Sequence, residues 1–536
     1  MRKSIAILML ISILMSCSDK YLELKDPTAA GSLKSMADYE LVCDGLYAQL
    51  NTMNLYGFQV LGIFALLADH TCDLSWTSDA VRNQMALHQL TPSQGNVYVI
   101  WQGYYTLIAD ANNLLMVLDA SDRIPAANEE EEKRFEQMKG EAIFWRAWAH
   151  QQLVQFWGEG YPCNGDGSKK GVPIKDFVPK DFKSATNKER ATVDEVYKFV
   201  TEEYQKASNL LPDEWTGTNT DKARPTKWAC ESFLGQALLY EGKYDESKTT
   251  LKTVIDQCGK TLLPYADYKN MFTDSQTKFS KESILELYFI DRACNGWGIW
   301  DGGRGSMYPS YIAYTYANDN GEPTFSAWSN HFFHDSNIAR FGNDKRLHIA
   351  AMEPGTPVKV GGVDRVTVKY KDIDESNLGW SVGKYQPRKE SVTDLLLTVG
   401  IDQYLMRLAD VYLMYAEACY ETKDESNARE YANKVRRRGN DYPADIPNPA
   451  IDIPLSVTGS ALKDSIREER FKEFCAEGVQ HWTDVCRWKT LEHEINTWYK
   501  KTRVGAPVYS PKALLLPIPE NELLYNVLME QSDVYK

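Results

Sequence analysis

Two stretches of the sequence have the pattern of a helical hairpin whose two helices pack closely through small residues. In residues 233–244, FLGQALLYEGKY, a small residue within the first helix permits a close crossing, and a glycine turn reverses the chain. Residues 404–438 have the same pattern, with Ala416, Ala418 and Ala428 at the close-packing positions. Together with two looser matches, they predict a mainly α fold: a scaffold of tetratricopeptide-like helical hairpins, an irregular loop-rich half and a few short strands. Unrelated amphipathic helices are the alternative.

Apolar residues that recur at intervals of three and four predict the other helices. The predicted helices are residues 36–53, 98–118, 129–157, 193–211, 225–240 and 244–257, and the predicted strands are 283–290 and 363–370. Residues 69–96 form a predicted polar loop. Residues 291–398 are irregular and rich in Gly, Asn, Asp and aromatic side chains. Because a loop of this length inside a compact domain is usually functional, we expect a ligand-binding insertion there.

The N-terminus has the order of a secretory signal peptide: a basic start, an apolar run from Ile5 to Met15 and a small residue before a cysteine. The apolar run is too short to span a bilayer. The order Leu14-Met15-Ser16-Cys17 resembles a bacterial lipobox, in which cleavage precedes the cysteine that carries the lipid. An ordinary signal peptide followed by an incidental thiol is the alternative. We expect lipid attachment at Cys17 and membrane contact through that anchor only.

The sequence therefore divides into five predicted regions. They are a signal peptide (1–16), a lipidated tether (17–32), an N-terminal helical region with tetratricopeptide-like hairpins (33–290), the irregular aromatic-rich insertion (291–398) and a C-terminal helical region (399–536).

Charge and cysteine content limit the classes of partner. The net charge is −14, and nucleic acids bind clustered cations, so we expect no nucleic-acid partner. The dense basic cluster Arg436-Arg437-Arg438 ends a predicted helix, where cations complement the helix dipole, and we interpret it as structural. The sequence has ten cysteines and no zinc-type spacing, and it leaves any disulfide pairing open. Four cysteines within helical patterns are expected to be buried as small apolar residues: Cys230, Cys419, Cys475 and Cys486.

Residues 296–333 contain ten aromatic side chains interleaved with glycines, a pattern that fits neither a helix nor a strand. Aromatic rings stack on the C–H faces of sugars while nearby polar groups bind the hydroxyls. The candidate ligand-binding residues here are Asn295, Trp297, Trp300, Asp301, Arg304, Tyr308, Tyr311 and Trp328. Trp76, Arg82 and Asn83 in the early polar loop form a second candidate group. The alternative is a loop that folds its aromatic rings inward as a satellite core.

Motifs of catalysis are absent from the sequence. It contains no Gly-x-Ser-x-Gly nucleophile elbow, no phosphate-binding loop and no His-Glu-x-x-His. His331 and His334 have a spacing that can bind a metal on a helix, but the phenylalanines between them favour a packed turn. We therefore predict no catalytic residue, no metal and no cofactor, and the sequence leaves a structural calcium ion open.

One pair of carboxylates invites an enzymatic interpretation. Glu473 and Glu477 lie one helical turn apart, as an acid/base pair can. The basic residues Arg467, Arg470 and Lys472 surround them in sequence, so an ion network is the favoured interpretation.

The C-terminal third resembles the SusD/RagB family. Residues 401–418, IDQYLMRLADVYLMYAEA, are similar to the family's Arg-Leu-Ala-Glu-Val-Tyr-Leu-x-x-Ala-Glu-Ala segment. Further matches are residues 467–470 (REER), Glu473-Phe474, Glu477-Gly478, Asp484, Arg487-Trp488, residues 515–519 (LLPIP), Glu522-Leu523 and Asn526. Two positions depart from the pattern: Gln480 stands where the family usually has an arginine, and Asp484 lies one residue further along.

With the lipobox, the resemblance covers essentially the whole mature chain. It implies a surface-exposed outer-membrane lipoprotein of Bacteroidetes that forms a lid over a SusC-like TonB-dependent transporter and captures nutrients, most often oligosaccharides. It also implies an almost wholly helical fold with four tetratricopeptide-like hairpins, and it assigns a role only to Cys17. A peptide-capturing RagB-like lipoprotein, a surface hydrolase and a purely structural tetratricopeptide adaptor are the alternatives.

Overall fold

The computed structural model describes most of the chain. The described residues are 33–68, 71–73, 80–290, 305–325, 327–328, 330–360, 362–369, 378–386, 399–499 and 506–536.

Helices dominate these residues. The helices are α1 (Met36–Leu50), α2 (Gln59–Gly62), α3 (Ala80–Ala86), α4 (Gly95–Leu118), α5 (Glu129–Trp157), α6 (Phe182–Thr186), α7 (Val193–Ser208), α8 (Asn219–Lys222), α9 (Lys227–Glu241), α10 (Tyr244–Gln257), α11 (Tyr265–Asn270), α12 (Tyr308–Tyr311), α13 (Asp335–Phe341), α14 (Leu347–Ala350), α15 (Leu408–Glu421), α16 (Glu425–Gly439), α17 (Ser460–Phe474), α18 (Gln480–Arg487), α19 (Leu491–Thr497) and α20 (Glu520–Tyr525). Short 3-10 helices are Phe64–Ala68, Pro162–Asn164, Pro511–Leu514 and Asp533–Tyr535.

The strands are short and form small antiparallel sheets. They are β1 (Thr71–Asp73), β2 (Ser283–Leu287), β3 (Thr315–Ala317), β4 (Pro323–Phe325), β5 (His331–Phe333), β6 (Ala351–Met352), β7 (Pro357–Val360), β8 (Val363–Val366), β9 (Ser381–Val382) and β10 (Gln403–Arg407). One sheet has the order β1-β5-β9-β6, and the pairs β2–β10, β3–β4 and β7–β8 form the others.

The first predicted hairpin consists of α9 and α10. Gly235 lies where the helices cross, and a Cβ placed there would lie 2.5 Å from a methyl carbon of Leu251. The Ser247 hydroxyl also donates to the Gly235 carbonyl at 2.7 Å. Gly242 ends α9 with φ of +80°, a conformation that glycine adopts at no steric cost. The sequence signal for close packing and a glycine turn is therefore confirmed.

The second predicted hairpin, α15 and α16, is also confirmed, and α10 packs against α15 so that the two hairpins stack. Ala416, Ala418 and Ala428 are all fully buried. The long helices α4 and α5 form another antiparallel pair, and α7 packs against both α5 and α9. The result is a helical scaffold with one large core that runs through the paired helices.

The predicted helix ends differ from the observed ends by up to three residues, and local bonds explain two of these differences. Thr226 caps α9 by accepting a hydrogen bond from the Ala229 amide at 3.2 Å, so Pro225 lies outside the helix. The helix α7 ends at Ser208, although the buried Leu211 continues its apolar pattern. There the amides of residues 210 and 211 share the carbonyl of Ala207 and tighten the last turn.

The early loop and the insertion contain more regular structure than predicted. Helix α3 and strand β1 interrupt the predicted polar loop, and β1 joins a sheet whose other strands belong to the insertion. Each strand of this sheet has only two or three residues, too few for an alternating pattern to be recognised in sequence. The predicted strands 283–290 and 363–370 are present but shorter, as Ser283–Leu287 and Val363–Val366.

The basic cluster and the carboxylate pair take part in buried ion pairs, as predicted. Arg437 and Arg438 are buried in ion pairs, the former with Asp452 at 2.6 Å and the latter with Glu282 at 2.6 Å and Glu473 at 2.5 Å. Burial favours the uncharged form of Glu473, but Arg438, Arg407 and Arg346 outweigh it and hold its pKa well below the usual range.

The ion network predicted for Glu473 and Glu477 is present, but its expected partners were wrong. Arg407 and Lys384 bind Glu477 at 2.7 and 2.5 Å, and both lie far from it in sequence. Arg470 points instead to Asp410 and Asp484. Residues 469 and 473 occupy one face of α17, which turns inward, so residues adjacent in sequence face other neighbours.

The corner that departs from the family pattern is well packed. Gln480 donates to Asp410 at 3.1 Å, so its amide satisfies a buried carboxylate without adding a charge. Asp484 binds Arg470 at 2.9 Å and Arg487 at 3.1 Å.

The cysteines confirm the prediction for helical positions. Cys230, Cys419, Cys475 and Cys486 are buried, and none of the seven cysteines whose side chains the structure describes forms a disulfide. Burial raises the pKa of each of these four thiols, which therefore stay protonated and unreactive.

Candidate functional site

The sheet that joins β1 to the insertion brings the two candidate groups together. β1 pairs antiparallel with β5, with Thr71 opposite Phe333 and Asp73 opposite His331. The chain therefore leaves β1 toward Arg82 at the same end of the sheet at which it enters β5 from Trp328. Two loops that are far apart in sequence meet at this edge.

Tyr311 is the contact point of these loops. We name the Tyr311 cluster for five side chains: Phe58, Arg82, Tyr311, Trp328 and His331. The Tyr311 ring lies 4.8 Å from Phe58, 4.7 Å from His331 and 6.2 Å from Trp328, each in edge-to-face contact. The Arg82 guanidinium lies over the same ring at 4.7 Å from its centre. Such cation–π and edge-to-face contacts fix both loops in one orientation.

The two tyrosines of the candidate list occupy the core rather than a surface. Tyr308 is 2% exposed and Tyr311 is 0% exposed, so neither presents a free ring face for a sugar. Tyr308 packs on His331 and Tyr385 at 6.4 and 5.9 Å. Burial raises the pKa of its phenol, which stays neutral. For these two residues the structure supports the satellite-core alternative, because the short helix α12 directs both rings inward.

Three candidates remain partly accessible. Arg82, Asn83 and Trp328 are half-buried, the first two on α3 and the third between β4 and β5. Trp328 is also fixed through its backbone, since its amide donates to the Ser310 carbonyl at 3.1 Å. Tryptophan rings, guanidinium groups and amides are groups that bind polyhydroxylated ligands.

The described residues that flank segment 291–304 form hydrogen bonds close to the Tyr311 cluster. On the N-terminal side, the Phe289 amide donates to Asp402 at 2.8 Å. On the C-terminal side, Ser306 forms a β-bridge with Val399. Gln403 donates to the Ser306 hydroxyl at 2.8 Å and to the Tyr56 carbonyl at 2.9 Å. Segment 399–403 thus connects the described residues on both sides of 291–304 to the turn that carries Tyr56 and Phe58.

Asp402 is an unusual anchor because it is buried next to a second carboxylate. Burial and the neighbouring Glu286 raise its pKa well above the usual range, and Lys278 opposes this effect through a direct ion pair. An Asp402 oxygen can accept the hydrogen bond from the Phe289 amide whether the carboxyl group is charged or neutral.

The other candidates lie outside the described residues. Asn295, Trp297, Trp300, Asp301 and Arg304 belong to the segment 291–304, and Trp76 belongs to 74–79. Their roles stay predictions.

Sequence reasoning missed Phe58 and His331 as parts of this cluster. Phe58 lies in a turn after α1 without a recognisable pattern, and its contact with Tyr311 depends on the tertiary fold. His331 was considered as a metal ligand, but it is fully buried in β5 and its ring packs against Tyr311. The predicted packing of residues 331–334 is confirmed, since Phe332, Phe333 and His334 are also buried, but residues 331–333 form strand β5 rather than a turn. Within the described part of the chain, no group of three or more His, Cys, Asp or Glu side chains is placed to hold a metal ion.

Comparison with known families agrees with this architecture. Residues 141–535 match the model of the SusD family, and residues 20–239 match a SusD-like model described as starch-binding associating with outer membrane. The chain belongs to the SusD family.

Curated relatives of this SusD-family protein are distant but extend over most of its length. A SusD-like protein of Formosa agariphila is 22% identical, with 98% of each chain covered. A SusD-like protein of Bacteroides ovatus is also 22% identical over 77% of this chain and 71% of the relative.

Solved structures of the family have the same fold. A SusD homologue from Bacteroides thetaiotaomicron aligns with a TM-score of 0.73 at 18% identity, covering 93% of this chain and 97% of the homologue. A laminarin-binding SusD-like protein aligns with a TM-score of 0.70 at 19% identity, covering 94% of this chain and all of that chain. The helical, tetratricopeptide-like fold predicted from the sequence is thereby confirmed.

The helices of the described residues differ in length and in apolar character. None of them combines the length and the apolar character needed to cross a bilayer.

Proposed function

We propose that this protein is an outer-membrane lipoprotein, anchored by a lipid on Cys17 and exposed on the cell surface. In this proposal it binds oligosaccharides, delivers them to a SusC-like TonB-dependent transporter and performs no catalysis. Membership of the SusD family supports the nutrient-binding role. The lipobox sequence supports the anchor.

The observation that carries the proposal is the meeting of two separate loops at Tyr311. The early loop contributes Arg82 and the insertion contributes Trp328, and both pack on the same buried ring. Preorganised aromatic and polar groups lower the entropic cost of binding a flexible oligosaccharide. One solved structure with the same fold is described as a laminarin-binding SusD-like protein, which supports a glycan as the ligand class.

We propose Trp328, Arg82 and Asn83 as ligand contacts at this surface. The candidates outside the described residues complete the proposed site: Trp76, Asn295, Trp297, Trp300, Asp301 and Arg304. Tyr308 and Tyr311 support the surface from below, because both are buried.

The test is a titration of the soluble protein (residues 18–536) with plant, fungal and host glycans and with mixed peptides. Trp328→Ala and Arg82→Ala are expected to weaken binding of one glycan class by about ten-fold or more, the loss of one stacking or cation contact. Trp215→Ala is the matched control, since Trp215 is half-buried but contacts Arg134 and Pro225 instead.

Binding by peptides alone would move the function to peptide capture. Glycan binding that stays at the wild-type level in both site variants would contradict the proposed site. Release of a reducing sugar end from a bound glycan would contradict the absence of catalysis.

The anchor and the partner need separate tests. Cys17→Ala is expected to abolish lipid labelling and to move the protein from the outer-membrane fraction to the soluble fraction. Co-purification of the lipidated wild-type protein with a TonB-dependent barrel is the expected sign of the transporter complex. Unchanged membrane attachment of the Cys17→Ala variant would contradict the lipobox interpretation.

A further inference from the structure

A second cavity lies between the end of α5 and the C-terminal segment. Its volume is about 480 Å³, within the range of about 300–1,000 Å³ that small-molecule sites occupy. Its walls come from residues 158–169, 486–492, 509–515 and 533–534. It shares no residue with the Tyr311 cluster or with the other proposed ligand contacts.

The walls of this C-terminal cavity are tied together by hydrogen bonds between distant parts of the chain. The indole of Trp157 donates to the Pro517 carbonyl at 2.9 Å, and Asn164 donates to the Arg487 carbonyl at 2.8 Å. Tyr535 donates to the Leu515 carbonyl at 3.2 Å. The cavity is therefore preformed, and ordering its walls adds little conformational entropy cost to ligand binding.

Two polar groups of the lining are available for hydrogen bonds to a ligand. The Glu492 carboxylate and the Tyr509 hydroxyl have no hydrogen-bond or ion-pair partner among the residues that the structure describes, and both line the cavity. Burial and the nearby Glu492 raise the pKa of the Tyr509 phenol. The phenol thus stays protonated and can both donate and accept a hydrogen bond.

Most charged side chains of the lining form ion pairs, and the charge balance around the cavity indicates which ligands are disfavoured. Glu159 is held by Arg190 at 2.8 Å, and Asp166 is held by Lys169 at 2.8 Å. The lining carries four carboxylates and two lysines, which are Glu159, Asp166, Glu492, Asp533, Lys169 and Lys489. Arg190 pairs with Glu159 and Lys536 pairs with Asp533 at 2.7 Å, so the charges around the cavity balance once these two cations are included. No net positive charge is left to favour sulfated, phosphorylated or uronic-acid ligands.

Neutral sugars fit the remaining chemistry. A carboxylate accepts hydrogen bonds from adjacent sugar hydroxyls, and such charge-assisted bonds are stronger than neutral ones. The partly buried ring of Tyr509 and the wall residues Leu491 and Leu514 supply an apolar surface for C–H groups. We infer that this cavity is a second saccharide subsite, which takes a neutral mono- or disaccharide through Glu492 and Tyr509. The inference takes its ligand class from the proposed function, but its residues are independent of the first site.

The experiment is calorimetric titration of the soluble protein (residues 18–536) with glucose, galactose, mannose, N-acetylglucosamine, maltose, cellobiose and laminaribiose. Glucuronic acid and glucosamine serve as the anionic and cationic comparisons. Glu492→Gln and Tyr509→Phe remove one charge or one hydroxyl and are expected to weaken binding of a neutral sugar by about ten-fold.

The matched controls are Glu520→Gln and Tyr525→Phe, which alter exposed residues of α20 outside the cavity and are expected to leave binding unchanged. Arg82→Ala identifies the first site, and this variant is expected to retain the binding that Glu492→Gln loses.

Three outcomes would overturn the second subsite. Binding lost in Arg82→Ala but unchanged in Glu492→Gln and Tyr509→Phe would uphold the proposed function and overturn the second subsite. Binding of glucosamine alone at the C-terminal cavity would overturn the neutral-sugar assignment. Absence of heat with every sugar in the panel would also overturn the inference.

Discussion

Replacing Glu473 by glutamine tests whether the carboxylates of the C-terminal motif are structural or catalytic. The Glu473 side chain is completely buried and accepts hydrogen bonds from three arginines. Arg407 and Arg438 bind one oxygen at 3.0 and 2.5 Å, and Arg346 binds the other at 3.1 Å. Glutamine has nearly the same shape but no charge, so the variant isolates the electrostatic contribution.

The surrounding cluster is balanced in charge. Counted over ion pairs between described residues, it contains five cations and five carboxylates. They are Arg346, Lys384, Arg407, Arg436 and Arg438 with Glu282, Asp344, Glu469, Glu473 and Glu477. Loss of one carboxylate leaves one uncompensated positive charge in a region that water does not reach.

The expected cost follows from this imbalance. Removing one partner of a buried ion pair typically destabilises a protein by about 3–5 kcal/mol. The glutamine amide also turns an N–H group toward an arginine donor, so one guanidinium loses one of its acceptors. We therefore expect Glu473→Gln to lower the free energy of unfolding by about 3 kcal/mol or more. Equilibrium unfolding of the wild-type protein and the variant in urea at pH 7 measures this difference in the free energy of unfolding.

Glu421→Gln is the control, because Glu421 forms a single ion pair with Lys463 at 2.6 Å and both side chains keep contact with solvent. Such pairs contribute about 0–1 kcal/mol. If the two variants agreed within about 1 kcal/mol, the structural account of Glu473 would be refuted. A Glu473→Gln variant of normal stability that lost a glycan-hydrolysing activity of the wild-type protein would favour the hydrolase alternative.

Two further predictions concern the scaffold. Gly235→Ala is expected to lower the free energy of unfolding by about 1–3 kcal/mol, because its Cβ would overlap Leu251. In the control variant Gly45→Ala on α1, the Cβ meets no atom within 4 Å, and we expect the free energy of unfolding to rise by about 0.5–1 kcal/mol. Equal urea midpoints for the two variants would contradict the close helix crossing. Burial lowers the pKa of His150 to about 4, so the stability due to its neutral form is complete above pH 6.5 and is lost as the pH falls toward 4. The free energy of unfolding is expected to fall by about 2 kcal/mol between pH 7 and pH 5 because of His150. The His150→Gln variant is expected to lack this pH-dependent decrease, whereas the control variant His493→Gln, at an exposed position, is expected to show it. Equal pH dependence of the free energy of unfolding in both variants would refute this assignment.

The sequence alone determined the elements whose signals are local. The helices α5 and α10 have the predicted bounds, because their apolar period and their flanking residues are contiguous in the chain. Gly235 and Gly242 predicted a close hairpin for the same reason. Gly235 lacks a side chain at the helix crossing and Gly242 adopts a left-handed turn, and both are properties of single positions in the sequence. The family motifs were also recognisable, since they are linear patterns.

Tertiary structure decided what depends on contacts between distant residues. The partners of Glu473 come from an insertion, a strand and another helix, so sequence neighbours such as Lys472 gave the wrong partners. Arg82 and Tyr311 meet only because β1 pairs with β5, and strands of three residues leave no periodic signal. The burial of Tyr308 and Tyr311 likewise follows from the inward course of α12. Local periodicity specifies which residues form a helix, whereas long-range pairing determines which side chains reach the surface where a ligand can bind.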